Sequence, residues 1–293
     1  MKIYDCFLYF DEELLLDVRL NILDKFIDKF VIVESKYSHR GEQRKPTFDI
    51  NKFQKFKNKI EYILLEDNPN NLYEIKDTDN RKNEKIILNG NFREFYQRNA
   101  LALGFKNADK DDLIIISDVD EIPFLENLNF NEIKNQPVFF NQIFCCYKFN
   151  LYSKMNWCGS RMIRKKKLIS PQWLRDIKDK NYSKFRIDTY FSKKKFNNIK
   201  FIENGGWHFT CIKKPVDIHK KLLTFAHHQD YENSNISFKE LQKRIHEKKV
   251  LYDHSRDKKM KNKWFSETTL KKIDLSFLPS AIRDEKKYKE WLD

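Results

Sequence analysis

Three carboxylates, Asp118, Asp120 and Glu121, stand just past a short apolar run, Leu113-Ile114-Ile115-Ile116. A β-branched run of that length reads as a strand buried on both faces, as in the middle of a parallel sheet. Pro123 bars the segment from continuing as a central strand. In open α/β sheets, ligands bind at the carboxyl end of such a strand. Strand side chains alternate between faces, so Asp118 and Asp120 are expected to point the same way, about 7 Å apart along the chain. Two oxygen donors so placed suit a hard divalent cation, Mg²⁺ or Mn²⁺, shared with a diphosphate. Taken alone, an Asp-x-Asp pair is more often the polar end of a strand entering a turn.

The elements that must position these acids follow from the patterning. Ile3 to Phe10 reads as a strand and Asp11 as a helix N-cap, with Leu14, Leu15, Val18, Ile22 and Phe26 then recurring at helical spacing. Lys29 to Glu34 reads as a second buried strand, completing a βαβ unit. A helix near residues 51–57, a strand over 60–65 and a long polar loop over 66–90 come next. A helix from Asn91 to Lys106 feeds the acid-bearing strand. Its Glu94 and Arg98 form an i, i+4 pair, and Arg98 and Asn99 lie close enough to the helix end to reach a ligand at the sheet edge. Beyond Pro123, apolar runs over 137–144, 145–151 and 155–163 predict an antiparallel addition. Pro171 opens a short helix. Gly205 and Gly206 permit a tight turn or a close ligand approach immediately before Trp207 and His208. A helix is expected to end in His227 and His228, another to span Phe238 to Val250, and the basic C-terminal segment to wrap the surface, with a short helix near Lys286 to Leu292.

With 293 residues, 25 of them Phe and 13 Tyr, the chain can bury a large core despite being 34% charged. The net charge of +14 admits nucleic acid, an anionic membrane surface or a phosphate-bearing small molecule as partner. No recognition helix, zinc finger or ribonucleoprotein motif is present, so nucleic acid is not an expected partner, whereas peripheral contact with an anionic membrane stays open. Only 6 glycines and no Gly-rich loop argue against a dinucleotide-binding Rossmann frame. Five cysteines without metal or redox spacing read as reduced thiols. With no apolar leader pattern or membrane-length apolar run, a cytoplasmic location is expected.

Five segments taken together carry a resemblance. Ile3-Tyr4-Asp5-Cys6-Phe7, Phe30-Val31-Ile32-Val33-Glu34-Ser35, Gln97-Arg98-Asn99-Ala100, Ser117-Asp118-Val119-Asp120-Glu121-Ile122-Pro123 and Gly205-Gly206-Trp207-His208-Phe209 resemble glycosyltransferase family 17, the family of the β-1,4-mannosyl-glycoprotein N-acetylglucosaminyltransferases, from residue 2 to about residue 255. The resemblance implies an α/β fold of GT-A type, with a mostly parallel sheet, an antiparallel addition and C-terminal helices. One domain over 1–255 is expected, with a nucleotide-binding half 1–123 and an acceptor half 124–255, followed by a basic extension 256–293. The implied activity is inverting sugar transfer from a nucleotide sugar, UDP-GlcNAc, to a glycan hydroxyl, with Mn²⁺ or Mg²⁺. In that scheme Asp118, Asp120 and His208 hold the metal, while Glu34, Arg98, Asn99, Ser117 and Asp118 bind the donor. Trp207 and His227 line the acceptor site. Glu121 is the expected base, with Asp188 and Glu203 as rivals. The competing readings are a metal-dependent nucleotidyltransferase or phosphodiesterase, which would want more carboxylates for a second metal, and a non-catalytic basic binding protein, which leaves three acids at one strand end unexplained. Thiol titration of the denatured, unreduced protein should find all five cysteines free; a stable bridge would place the chain in an oxidising compartment.

Overall fold

The computed structural model describes residues 1–225, 228–252, 264, 266–284 and 286–293. Strand β1 (Ile3–Leu8) lies between β2 (Lys29–Ser35) and β4 (Leu113–Asp118), and β2 carries β3 (Ile60–Leu65) on its far side, all in parallel. Past β4 the sheet changes sense. There β7 (Leu151–Arg164) pairs antiparallel with both β4 and β6 (Val138–Cys146), and β9 (Gly206–Thr210) runs parallel to β6. The short β5 (Glu121–Pro123) ends the path, antiparallel to β9, while β8 (Lys200–Ile202) joins β6 and β10 (Lys271–Lys272) joins β7. One sheet thus crosses residue 123 without a break, a mixed α/β arrangement with the expected antiparallel addition.

Alternation along the strands covers both faces of this sheet. Ile3 and Phe7 of β1 face one apolar cluster with Leu15, Leu16 and Leu20 of helix α1 (Glu13–Leu23). Tyr4 and Cys6 face another, with Leu101 and Phe105 of a 3₁₀ turn. A third cluster joins Phe144 and Leu151 to Trp264 and Leu270, so the C-terminal segment contributes core rather than only wrapping the surface. Tyr288 is likewise buried, its hydroxyl donating to Asp17 Oδ2 at 2.5 Å.

Several sequence expectations change in detail. The acid-bearing stretch is not one strand: β4 stops at Asp118, and a turn through Val119 and Asp120 leads into β5. Strand alternation therefore does not set the relation of Asp118 to Asp120. Helix α2 (Lys82–Ala100) begins inside the expected loop, because Asn89, which looks like a breaker beside Gly90, is buried and its side chain bonds Tyr73 N at 2.7 Å and Tyr73 O at 2.8 Å. The helix before the histidine pair, α5 (Pro215–Thr224), ends at Thr224, and His228 starts α6 (His228–Asn233). Helix α7 (Phe238–His246) stops short of Val250, and the last helical turn, Lys286–Trp291, is 3₁₀.

The turn after β4 is held from below by a buried ion pair. Arg19 of α1 and Asp5 of β1 are both wholly buried and bond through two contacts, Nε to Oδ2 at 2.7 Å and Nη2 to Oδ1 at 2.6 Å. The remaining Arg19 nitrogen, Nη1, donates to the carbonyls of Asp118 (3.1 Å), Val119 (3.3 Å) and Glu121 (2.6 Å). A planar guanidinium can meet a carboxylate on one edge and carbonyls on another, which a lysine cannot. Replacing Arg19→Met leaves Asp5 buried without its partner and takes a donor from three carbonyls, of which Glu121 O keeps Ser160 Oγ at 2.9 Å, and should lower unfolding free energy by about 3–5 kcal/mol in urea titration. A loss below about 1 kcal/mol would show that the pair does not organise the turn.

Candidate active site

The acids lie where the parallel part of the sheet meets the antiparallel part. Asp118, at the end of β4, accepts from Arg98 Nη2 of α2 at 3.0 Å and from Arg175 Nη2 of α3 (Pro171–Asp176) at 3.1 Å. Its side chain is 39% exposed, so the carboxylate is gripped from behind and open in front. Asp120 is buried, with Lys221 Nζ of α5 at 3.5 Å and His208 Nε2 of β9 at 3.6 Å. Lys221 also stands 4.0 Å from Glu12. Asp118 and Asp120 therefore share one small region with three fixed cations, Arg98, Arg175 and Lys221.

Their charges reinforce one another. Burial pushes the Asp118 carboxyl up, but Arg175 and Arg98 outweigh it and hold the group below the usual carboxylate range. Burial likewise opposes ionisation of Asp120, and Lys221 and His208 overcome it. For Lys221, burial favours the neutral amine, yet Asp120 and Glu12 raise its pKa above the ordinary lysine value. A depressed carboxyl contributes stability that is fully present above its unfolded value, about 4, and is lost only as pH falls through the lower folded one. Both acids are thus anions throughout the neutral range, the form in which they bind a cation.

Glu121 is wholly buried and has no oxygen to spare. Its Oε1 accepts from Trp157 Nε1 (2.8 Å) and Arg175 Nη2 (2.9 Å), and its Oε2 from Asp118 N (2.9 Å) and Arg175 Nη1 (2.7 Å). A general base needs a lone pair aimed at the substrate proton, so the expected role of Glu121 gives way to a positioning one. The carboxylate fixes Arg175, which in turn fixes Asp118. Neither rival replaces it at this point: Asp188 is exposed and paired with Arg186 and Lys195, and Glu203 is exposed before β9, accepting from Asn141 Nδ2 at 2.8 Å.

Other expected site residues are placed variously. Glu34 is buried and accepts from Thr47 N (2.7 Å), Phe48 N (3.1 Å) and Tyr62 Oη (2.9 Å), with Arg44 at 2.9 Å, so it anchors the 44–48 loop and has no oxygen free for nucleoside hydroxyls. Ser117 is buried and donates to Ser160 Oγ at 2.8 Å, so its hydroxyl is taken up within the sheet. Trp207 is core: it stacks parallel to Phe209, meets Phe124 edge-on and donates to Phe277 O at 2.9 Å, so its faces are unavailable to a sugar. Asn99 Oδ1 accepts from Gln172 N at 3.1 Å and so orients the first turn of α3. His227 lies outside the described residues.

His208 is brought to the acids by backbone pairing. Gly206 (φ +129°) packs so closely on β5 that a Cβ would stand 2.1 Å from Ile122 O, and this contact lets His208 lie opposite Glu121. Its ring lies 4.5 Å from Trp157 and 5.0 Å, edge-on, from Phe144. Its Nδ1 is buried without a hydrogen-bond partner among the described residues. Among those residues no three His, Cys, Asp or Glu side chains are gathered into a ready metal cage. Two ionised carboxylates completed by a ligand's phosphate oxygens are nevertheless a donor set that Mg²⁺ takes, so Asp118 and Asp120 fit a divalent cation that arrives with a diphosphate.

Arg19, Arg175 and Lys221 were not singled out by sequence. Asp5 inside an apolar strand, and Arg19 among the apolar positions of α1, were the one readable signal: charges in buried patterns call for each other. No curated protein sequence matches the chain. Residues 1–258 match the model of glycosyltransferase family 17, and with most of its length so matched the chain belongs to that family and is a glycosyltransferase, a class that takes a nucleotide-sugar donor and a glycan acceptor.

Proposed function

We propose that the chain moves N-acetylglucosamine from UDP-GlcNAc to a glycan hydroxyl, with inversion at the anomeric carbon, on a GT-A-type fold in the cytoplasm. The observation that carries this reading is the half-open Asp118 beside buried Asp120, at the end of β4 where the parallel strands meet the antiparallel ones, ringed by Arg98, Arg175 and Lys221. Sugar transfer releases a diphosphate whose negative charge grows in the transition state, and preorganised cations stabilise it there. Asp118 and Asp120 are the residues that would hold Mn²⁺ or Mg²⁺, which supplies further charge neutralisation without a proton. Arg98 and Arg175 hold Asp118 in one rotamer, and Arg175 is itself locked by Glu121 and by Gly159 O at 2.7 Å. Lys221 reaches the same region from α5 and offers an ammonium to a phosphate oxygen. All five cysteines are free thiols, in keeping with a reducing compartment.

Asp120→Ala should abolish the thermal stabilisation that UDP with Mn²⁺ gives the wild-type protein while leaving a cooperative unfolding transition; retained stabilisation would remove Asp120 from the donor site. Glu121→Gln tests positioning against base catalysis. A lost base would spare donor affinity and cut transfer about 10²-fold or more. A lost anchor for Arg175 should instead weaken donor binding and transfer together and cost about 1–3 kcal/mol of stability. The geometry predicts the second pattern, and intact donor affinity with transfer alone reduced would restore Glu121 as the base.

A further inference from the structure

The segment that follows α3 exposes apolar surface on a scale found nowhere else among the described residues. Phe185 is 96% exposed, Phe191 86%, Ile187 75% and Tyr190 70%, the last three within the single short helix α4 (Ile187–Phe191). Isolated exposed apolar residues are ordinary, but four large ones in seven positions form a patch that water disfavours. Basic residues surround them. From Lys178 to Lys195 there are seven basic and two acidic side chains, and one of those acids, Asp188, is already paired with Arg186 and Lys195.

The segment is tied down at its base. Lys178 N donates to Lys194 O and Tyr182 N to Phe196 O, both at 2.8 Å, while Asn181 bonds both the N (2.7 Å) and the O (2.9 Å) of Ile199. Phe196 packs edge-on against Trp173 of α3, 6.1 Å between rings. The same helix supplies Arg175 to Asp118. The patch is therefore a fixed projection one short helix from the acids.

We propose that residues 178–195 form a docking face for an anionic lipid surface, with Phe185, Ile187, Tyr190 and Phe191 entering the boundary between headgroups and acyl chains and the surrounding lysines meeting lipid phosphates. Charge complementarity selects this occupant. An apolar protein partner would not require a basic rim, and a second copy of the patch would bring two such rims together. Docking there holds the carboxylate site beside the membrane, within reach of an acceptor presented at its surface.

Flotation of the full chain with phosphatidylcholine vesicles, with and without about one-third phosphatidylglycerol, tests the idea. The protein should float with the anionic vesicles alone, and less at high salt. Phe185→Ser with Phe191→Ser, and separately Lys184→Glu with Lys193→Glu, should each reduce the bound fraction about tenfold. None of these residues belongs to the carboxylate site, so UDP-sugar turnover without vesicles and the melting temperature should stay at wild-type values. Equal flotation with neutral vesicles, or variants that float like the wild type, would overturn the proposal. So would self-association by light scattering that the Phe variants abolish in a protein that never floats, since that would assign the face to a second copy. Loss of turnover in the wild type would bear on the transferase reading and not on this one.

Discussion

A single buried guanidinium links the fold to the site. Arg19 spends one edge on the Asp5 carboxylate and the remaining nitrogen on the carbonyls of Asp118, Val119 and Glu121, so the turn carrying the acids is fastened to β1 and α1 at once. The turn is also tied to its neighbours, Asp120 O accepting from Phe209 N at 2.8 Å and Glu121 O from Ser160 Oγ at 2.9 Å, and Arg19 completes the pairing of its buried carbonyls. The constraint explains why the chain stops being a strand at Asp118 and resumes three residues later as β5, an edge strand on which Pro123 is tolerated.

Above that turn the design is electrostatic. Asp118 and Asp120 stand close enough to repel, and Arg98, Arg175 and Lys221 keep them compatible, with Glu121 and Glu12 as further partners of Arg175 and Lys221. A cluster held together this way is costly to assemble in the absence of ligand, yet it exposes carboxylate and cation side by side. Such a surface is what the proposed metal diphosphate would need, with the acids holding the metal and the basic groups offered to phosphate oxygens. Glu121 shows how the division of labour works, since it gives up all solvent access to aim Arg175. Lys221 arrives from a helix beyond residue 200, so the second half of the chain completes a site begun by the first.

Much of this was legible in the residues, and the failures have identifiable causes. Parallel strands β1, β2 and β4 announce themselves as apolar runs because each is covered on both faces, and the antiparallel addition shows as a change of rhythm after Pro123. The start of α2 was hidden because Asn89 and Gly90 look like a break; a tertiary bond to Tyr73 overrides that propensity. Glu34, Glu121 and Trp207 have side chains that suit ligands, but sequence reports side-chain type and not whether its valences are already filled. Arg175 and Lys221 were missed for the opposite reason: locally each is an ordinary helical cation, and only the distant chain reversal brings it to an acid.

The ringed carboxylates are proposed to form a site for a nucleotide diphosphate. Calorimetric titration of the protein with uridine, UMP and UDP in the presence of Mn²⁺ measures this directly. UDP is predicted to bind at least about tenfold more tightly than UMP, and UMP to differ little from uridine, because the added charge-assisted contacts belong to the terminal phosphate. Equal affinity for all three would contradict the account, since recognition would then rest on the nucleoside and leave Asp118, Asp120 and their cations without a ligand.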